Sequence, residues 1–552
     1  MRRKTIWLSV SGVLLLGLIL TIGFSGLVMS AGKAEPIRGG HITISRTTNL
    51  GEGWDPIHAR NYAHLHPVLL ALKRGDFYRG PAGSNETSYL YPSIAPHEFN
   101  TRGLAKSWEI TGPATIRYHL NKGIKWHNKA PMNGREVTAE DVVWGYQRML
   151  DTKDSGVPTM AAKPISMKAI DKYTFEWTLA KADMRAAFTL DDWYRITPRE
   201  VVEKYGNLDD WKTVVGNGPF MIKNYIPGNK IVYEKNPDYW ETDQSGRKVP
   251  FIDGFTTMII TDDSTRWAAL RTGKIDIVHG VPWRDAEEIL KSSPKLKTTG
   301  GIPWVSRKLQ FNVKEGVFAD IRVRRAMALA IDHTAILKDL HEGNSVVMPS
   351  GMFAPDHPAF MKLKDYPKSA QELFEYRPEK AKKLLAAAGY PKGFKADLEI
   401  MQVNADYASM LVSFWSDIGL DIKIDVMEAG AFVSKLYGLK LNLFILGGAL
   451  QGPRRESWRW TKGAPWNFSQ IDDPKLWELF AVATAEKDRK DFGPEWQEVT
   501  KYLVDQVYEH QIPGPNVYNF WQPWIKNFHG EWTIGSTDYA GYSSYIWVDK
   551  KK

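Results

Sequence analysis

The stretch "VGNGPFMIKNY" at residues 215–225 can be interpreted in two ways, as a loop that binds a phosphate or as the entrance to a strand. A dinucleotide-binding loop follows the pattern G-x-G-x-x-G and leads into a helix. Here Met221 occupies the third glycine position, and Pro219 lacks the backbone N–H that would donate to a phosphate. The next residues, "IPGNKIVYEKN" at 226–236, predict a Pro-Gly-Asn turn between two strands. The sequence therefore predicts that the two glycines allow a tight bend into a strand and that the stretch binds no nucleotide.

Strand patterns occur on both sides of this stretch. Apolar and polar residues alternate in "TIRYHL" at 115–120 and in "YTFEWTL" at 173–179. This period of two is typical of strands that are buried on one face. Because helix patterns lie between the strand patterns, the predicted fold class is α/β with more than one lobe.

Three helices have recognisable ends. "VTAEDVVWGYQRML" at 137–150 begins with a capping sequence at Thr138, and "FADIRVRRAMALAIDHTAIL" at 318–337 predicts one helix capped by Asp320. "RPEKAKKLLAAAGYPKG" at 377–393 has a proline in its first turn and a glycine after its last. The residues expected to face the core are Val143, Tyr146 and Leu150 of the first helix and Val323, Met327, Ala330 and Ile331 of the second.

The composition excludes several classes of protein. A chain of 552 residues is long enough for two or three structural units, and 43% hydrophobic with 24% charged residues is ordinary for a globular protein. The absence of cysteine excludes thiol nucleophiles, disulfides, iron–sulfur clusters and a lipid-modified N-terminal cysteine. The net charge of +9 is not concentrated in any Lys/Arg block, so no nucleic-acid partner is predicted. The 22 tryptophans fit either an aromatic-rich core or an aromatic-lined ligand cavity.

The N-terminus predicts export from the cytoplasm. "MRRK" is followed by an almost uninterrupted apolar run at residues 6–29. This run is long enough to span a bilayer, so the segment is either a signal peptide cleaved near Ser30 and Ala31 or a retained membrane anchor. The remainder of the chain is therefore expected in the periplasm or elsewhere outside the cytoplasm, with contact to the membrane only through this segment.

Sequence motifs of catalysis are missing. The chain contains no G-x-S-x-G, no H-E-x-x-H and no G-x-x-x-x-G-K-[ST]. Asp262 and Asp263 are expected to point to opposite faces at the end of a strand, and the histidines at 58, 64 and 66 would bind a metal only if they shared one loop. We therefore predict a protein that is not an enzyme and that has no metal and no cofactor.

Several separated blocks together resemble one family, the peptide/nickel (oligopeptide/dipeptide-binding) type of extracellular solute-binding proteins, which deliver ligands to ABC importers. The blocks are "GLAKSWEITGPATIRYHLNKGIKWHNKAPMNGREVTAEDVVWGYQRML" (103–150), "VGNGPFMIKNYIPGNKIVYEKNPDYW" (215–240), "DDSTRWAALRTGKIDIVHGVP" (262–282), "LQFNVKEGVFADIRVRRAMALAIDHTAIL" (309–337), "LLAAAGYPKGF" (384–394) and "NFSQIDDPKLWELF" (467–480). The resemblance extends from about residue 39 to about residue 528, and its specificity lies in the order of the blocks.

The resemblance implies a two-lobed type II periplasmic-binding-protein fold with an additional small α/β domain. The first lobe would consist of residues 39–66, 191–304 and 517–552, the added domain of 67–190 and the second lobe of 305–516, after a leader and linker at 1–38. Such a protein is expected to act as a monomer that closes its two lobes on a ligand. Its partners would be a peptide or small-molecule ligand and the permease subunits of an ABC importer.

The expected ligand is an oligopeptide or a similar polar organic solute. Peptide-binding relatives commonly place an aspartate after a strand of the second lobe, but "NLFILGGALQGPRRESWRW" at 442–460 has none between residues 446 and 460. An oligosaccharide is therefore an alternative, and a ligand-sensing receptor or a secreted enzyme on the same fold is an alternative of another class. The candidate ligand-binding residues are Trp54, Trp304, Arg454, Arg455, Glu456, Trp458, Trp460, Trp466, Asn467, Tyr518 and Trp521.

Overall fold

Three β-sheets of four or more strands, with helices between their strands, organise the described part of the chain. The structure is a computed structural model that describes residues 35–47, 53–57, 63–90, 97–152, 163–180, 195–303, 306–448, 459–460, 462, 464, 466–484, 493–535 and 538–550. The described helices and strands all belong to residues Ile37–Lys552, which form one unit. None of the helices within the described ranges combines the length and apolarity needed to cross a bilayer, and the apolar run at 6–29 lies outside those ranges.

The described strands are short, with two to eight residues each. In chain order they are β1 His41–Arg46, β2 Arg74–Gly75, β3 Asn100–Arg102, β4 Ala105–Gly112, β5 Thr115–Leu120, β6 Pro164–Asp171, β7 Thr174–Leu179, β8 Phe220–Ile226, β9 Lys230–Lys235, β10 Gly254–Ile259, β11 Ile277–Pro282, β12 Lys297–Pro303, β13 Ser306–Phe311, β14 Ser345–Val346, β15 Lys395–Met401, β16 Asp421–Met427, β17 Leu443–Gly448, β18 Glu509–Ile512, β19 Gly514–Trp521, β20 Ile525–Lys526, β21 Thr533–Ile534, β22 Asp538–Tyr539 and β23 Trp547–Val548.

The described helices lie between these strands. They are α1 Ala139–Asp151, α2 Arg199–Tyr205, α3 Asp263–Arg271, α4 Trp283–Ser292, α5 Ile321–Leu329, α6 His333–Ala335, α7 Lys368–Gln371, α8 Pro378–Ala387, α9 Ala405–Ser416, α10 Ala429–Tyr437, α11 Pro474–Thr484 and α12 Pro494–Gln506.

The chain crosses between the two large sheets from β12 to β13 and from β18 to β19, and β14, which lies between β13 and β15 in the sequence, also pairs with the first sheet. The first sheet has the strand order β12-β19-β11-β1-β10-β9-β8, with β14 paired to β19, and the second has the order β16-β15-β17-β13-β18. A third sheet, β4-β5-β7-β6, is formed by residues 105–179.

The stretch at 215–225 leads into a β-hairpin, as predicted. Strands β8 and β9 pair antiparallel, and Asn229 N donates to Ile226 O at 3.0 Å in the turn. The expected role of the glycines, however, needs correction, because neither Gly216 nor Gly218 has a positive φ. A Cβ on Gly216 would lie 1.9 Å from Val68 O, so the glycine is required for the close approach of two chain segments.

Three backbone N–H groups of this stretch already donate hydrogen bonds within the protein. Asn217 N and Gly218 N donate to Val68 O at 3.0 and 2.8 Å, and Gly216 N donates to His127 Nδ1 at 3.1 Å. A phosphate would therefore find no free donors at these three positions.

Most of the predicted local patterns are confirmed, with shifts in two helices. The capping box of α1 is present, with Thr138 N donating to Asp141 at 2.8 Å, but its buried face consists of Val142, Tyr146 and Met149 and leaves Val143 and Leu150 half-buried. The prediction of one continuous helix over 318–337 is wrong. Helix α5 ends at Leu329, because Asp332 accepts from Ala335 N at 2.9 Å and caps a separate turn.

The apolar faces of the third sheet pack as the period of two predicts. Ile116, Tyr118 and Leu120 of β5 are buried, and so are Phe175 and Trp177 of β7. The rings of Tyr118 and Phe175 stack with centroids 5.0 Å apart. This face joins the core of the first sheet in one continuous apolar cluster, whereas the helix-covered face of the second sheet forms another.

Candidate functional site

The carboxyl ends of the parallel strands lie next to the two crossings. In the first sheet, β1 runs parallel to β10 and β11, and β12 runs in the same direction because both β11 and β12 are antiparallel to β19. In the second sheet, β15 runs parallel to β16 and β17, and Gly448 at the end of β17 pairs with Ser306 at the start of β13. Ligands of open α/β sheets bind at such carboxyl ends, so the space beside the crossings is the candidate site.

An aromatic cluster lies at the carboxyl end of β11, where the strand has an irregular register. His279 Nε2 contacts Glu531 O at 2.9 Å, and its ring meets that of Trp532 edge-on at 4.7 Å. Burial lowers the pKa of His279 to about 3, so the ring is neutral and donates its Nε2–H to this carbonyl. Trp532 remains half-buried and presents an aromatic surface at this edge.

The edge strand β18 of the second sheet carries a buried polar network. Glu509 accepts from Gln310 Nε2 at 3.0 Å and from Gln511 Nε2 at 2.7 Å, and Lys308 Nζ lies 3.4 Å from its carboxylate. Lys308 is fully buried, and both glutamines are 3% exposed. The charges of the network therefore compensate each other inside the protein.

A small cavity lies beside this network. Its lining consists of Pro349, Ser350, Met352, Trp460, Leu503, Val504, Glu509 and Gln511. Among the described residues, Trp460 Nε1 and Gln511 Oε1 have no hydrogen-bond partner. The cavity has room for about one water molecule, so it is too small to hold a peptide or a similar solute in this conformation.

The turn at residues 354–357 contacts a distant part of the chain. Asp356 Oδ2 accepts from Ser88 N at 3.1 Å, from Ser88 Oγ at 2.5 Å and from Thr87 Oγ1 at 3.2 Å. The sequence did not predict these contacts, because nothing in the pattern around Asp356 or Ser88 indicates a partner 268 residues away.

The described candidate residues lie in different apolar clusters. Trp54 and Trp521 are buried in the cluster of the first sheet, and Trp460 lies with α11 and α12. Trp466 packs at the edge of a cluster around Phe432 and Phe444. The structure therefore does not gather these indoles in one pocket, and their roles in ligand binding stay predictions.

Asn467 and Tyr518 have structural contacts of their own. Asn467 is buried, with Nδ2 donating to Ile471 O at 2.8 Å and Oδ1 accepting from Ile471 N at 2.9 Å, so its side chain closes a turn. Half-buried Tyr518 lies in β19 and covers Gly300, where a Cβ would lie 2.0 Å from its ring. The other candidates lie outside the described residues: Trp304, Arg454, Arg455, Glu456 and Trp458.

The carboxylates and histidines considered for catalysis or metal binding have structural contacts. Asp262 does not end a strand as expected; it caps α3 by accepting from Thr265 N at 2.7 Å, and Asp263 pairs with Arg266 at 2.7 Å. His64 Nε2 contacts Gly53 O at 3.0 Å. Within the described ranges, which exclude His58, no group of three or more His, Cys, Asp or Glu residues could hold a metal ion.

Comparisons with known proteins agree with this architecture. The family described as "Bacterial extracellular solute-binding proteins, family 5 Middle" matches residues 101–469. The chain is 26% identical over 465 residues to Di/tripeptide-binding protein 1 of Pseudomonas aeruginosa (strain UCBPP-PA14), which covers 77% of this chain and 82% of that protein. It is 28% identical over 370 residues to the dipeptide-binding protein of Escherichia coli (strain K12), covering 60% of this chain and 64% of that protein.

Solved structures share the fold at lower sequence identity. The periplasmic binding protein DppA from Helicobacter pylori, in complex with the peptide STSA, matches with a TM-score of 0.72 and 22% identity over 93% of this chain and 99% of its own. AgaA from A. tumefaciens R10, in complex with agropinic acid, matches with a TM-score of 0.72 and 19% identity over the same shares. The predicted fold class is thereby confirmed. Because the family match covers more than half of its length, the chain belongs to the bacterial extracellular solute-binding proteins of family 5.

Proposed function

We propose that this chain is the extracytoplasmic receptor of an ABC importer and that it captures a peptide or a similar polar organic solute. The observation that carries the proposal is the position of the strand carboxyl ends beside the two crossings, because this arrangement allows two lobes to close over a solute. Relatives named as di- and tripeptide-binding proteins support a peptide as the solute.

We assign the lobes with the bounds that the sequence predicts; β14 and the first residues of β19 lie within the range of the second lobe and pair in the first sheet. The first lobe consists of residues 39–66, 191–304 and 517–552, and the second lobe of residues 305–516. The added domain at 67–190 carries the third sheet. The receptor works as a monomer that is exported by its N-terminal segment, delivers the solute to permease subunits and catalyses no reaction.

The residues that follow β17 in the sequence would set the chemistry of the solute. Residues 446–460 contain no aspartate that could pair with a peptide α-amino group, but they contain Arg454, Arg455 and Glu456. Glu456 would take the role of the counter-charge for a peptide, whereas the two arginines would favour a carboxylate. A nonpeptide organic acid or an oligosaccharide is therefore the second candidate, and the complex of AgaA with agropinic acid supports such a solute on this fold.

Mass spectrometry of the solute released from gently purified and then denatured protein tests the proposal. Recovered peptides are the expected result, and a recovered organic acid or oligosaccharide would replace the peptide by the second candidate. Recovery of no solute, together with no thermal shift in a panel of peptides, sugars and organic acids, would refute the receptor function. A bound solute at 100 times its dissociation constant should add about 2.7 kcal/mol to the free energy of unfolding.

The aromatic part of the site is tested by replacing single tryptophans. Trp458→Ala, Trp466→Ala and Trp521→Ala should each weaken binding of the recovered solute, measured by calorimetry. Tyr205→Ala is the control, because Tyr205 is 44% exposed on α2. Unchanged affinity in all three tryptophan variants would refute an aromatic-lined cavity.

A further inference from the structure

Asp356 connects the turn at residues 354–357 to Thr87 and Ser88, which lie in the range predicted for the added domain. A single oxygen of its carboxylate receives all three hydrogen bonds, two from hydroxyl groups and one from the backbone N–H of Ser88. Hydrogen bonds to a charged acceptor are stronger than those between neutral groups. This contact therefore has the strength to hold two parts of the chain together.

The donors of this contact are fixed in place by their own turn. Thr87 Oγ1 accepts from Tyr89 N at 3.4 Å, and Ser88 Oγ accepts from Leu90 N at 3.2 Å. Tyr89 is buried with φ at +53°, and its hydroxyl donates to Asp76 O at 2.7 Å. Because the turn is ordered by these bonds, little conformational entropy is lost when it meets a carboxylate.

The acceptor is fixed on the other side as well. His357 N donates to Ala354 O at 2.9 Å, and Ala359 N donates to His357 Nδ1 at 3.0 Å. The ring of His357 packs on Phe353 with centroids 4.5 Å apart, and Phe353 belongs to the apolar cluster of α11 and α12. Asp356 therefore projects from a segment that is packed against α11 and α12.

We propose that Asp356 and the turn at Thr87 and Ser88 form a latch that holds the second lobe against the added domain in the closed receptor. The latch rests on the proposed function, since it has a role only if the lobes separate to admit a solute. Opening transfers the carboxylate and the three donors to water, and closing rebuilds the same three bonds. The latch thus biases the receptor toward closure through residues outside the strand carboxyl ends.

A distance measurement in the full chain without added solute tests the latch. The chain contains no cysteine, so Lys168→Cys in β6 and Lys392→Cys after α8, both exposed, give two unique positions for spin labels. Pulsed electron paramagnetic resonance then reports the distance between the added domain and the second lobe. We expect a short-distance population that Asp356→Ala lowers about tenfold relative to the longer distances. Asp365→Ala is the control, since Asp365 is exposed and lies in the same segment between β14 and α7 as Asp356.

A second variant separates the latch from a general loss of structure. Thr87→Val combined with Ser88→Ala removes the two hydroxyl donors and keeps Ser88 N, so it should lower the short-distance population less than Asp356→Ala does, and the triple variant should add little to Asp356→Ala. Superimposable distances in the wild type and Asp356→Ala, or a wild type without the short population, would overturn the latch.

The same preparations separate the latch from the receptor function. If released solute is recovered while the distances do not respond to Asp356→Ala, the latch alone fails. If the distances respond but no solute is recovered and none shifts the thermal transition, the receptor function fails and the contact remains.

Discussion

Gly216→Ala tests the close approach of the stretch at 215–225 to Val68. The added methyl group would lie 1.9 Å from Val68 O and 2.7 Å from the carbonyl carbon of Val68. Cβ atoms essentially never come within 3.0 Å of a heavy atom outside their own and the adjacent residues. The two segments must therefore separate by more than an ångström, although Asn217 N and Gly218 N both donate to that oxygen. Each buried hydrogen bond that is lost costs about 1–3 kcal/mol, so we expect the free energy of unfolding to fall by about 2–5 kcal/mol.

Urea unfolding followed by tryptophan fluorescence and far-UV circular dichroism measures this loss. Gly112→Ala is the matched control, because Gly112 also has no positive φ and its Cβ would meet Thr115 at an ordinary 3.5 Å. The control should change the free energy of unfolding by less than about 0.5 kcal/mol. If both variants unfold at the urea concentration of the wild type, the glycine is not needed for close approach and the reasoning is refuted.

Three further predictions concern buried polar groups. Burial lowers the pKa to about 4 in His127 and His333, to about 3 in His279 and His357, and well below the ordinary value in His510. Because these pKa values lie below the ordinary value, the stability they contribute is fully present above about pH 6.5 and is lost as the pH falls toward 4, so a urea midpoint that stays constant from about pH 7.5 to about pH 5 would contradict this. Glu241→Ala removes the buried carboxylate to which Arg74 donates at 2.7 Å and should cost about 3–5 kcal/mol, whereas Glu379→Ala in an exposed pair should leave the urea midpoint unchanged. Asn467→Ala should lower stability by about 2 kcal/mol through its two bonds to Ile471, and a loss of solute affinity in the folded variant would show a role in binding instead.

Local sequence patterns predicted the elements of this fold well. The hairpin of β8 and β9, the capping box at Thr138 and the proline-to-glycine limits of α8 depend on neighbouring residues, so the sequence contains the information directly. The break after α5 was missed because an apolar period of 3.6 continued past it. The helix ends because the side chain of Asp332 accepts a hydrogen bond from Ala335 N. The pattern of apolar residues did not reveal this cap.

Contacts between distant segments could not be predicted from such patterns. Gly216 fits against Val68, and Asp356 fits against Ser88, only after the sheets have formed. The ordered blocks of sequence resemble one family, and that resemblance predicted the fold. The boundaries of the lobes and the roles of the ligand-binding residues stay predictions.

The positions of the described tryptophans distinguish those that stabilise the core from those that are candidates for contact with the solute. Trp126, Trp177 and Trp415 are each less than 2% exposed, and Trp415 Nε1 donates to Met327 O at 3.0 Å inside the second core. At least part of the high tryptophan content therefore belongs to the core, and the total number is weak evidence for an aromatic cavity. The cavity hypothesis then depends on tryptophans outside the described core, above all Trp458, which follows β17 in the sequence and lies outside the described residues. Selectivity should accordingly change with substitutions at 449–458 that leave the unfolding midpoint unchanged, because the strand before them ends at the carboxyl edge where ligands of open α/β sheets bind.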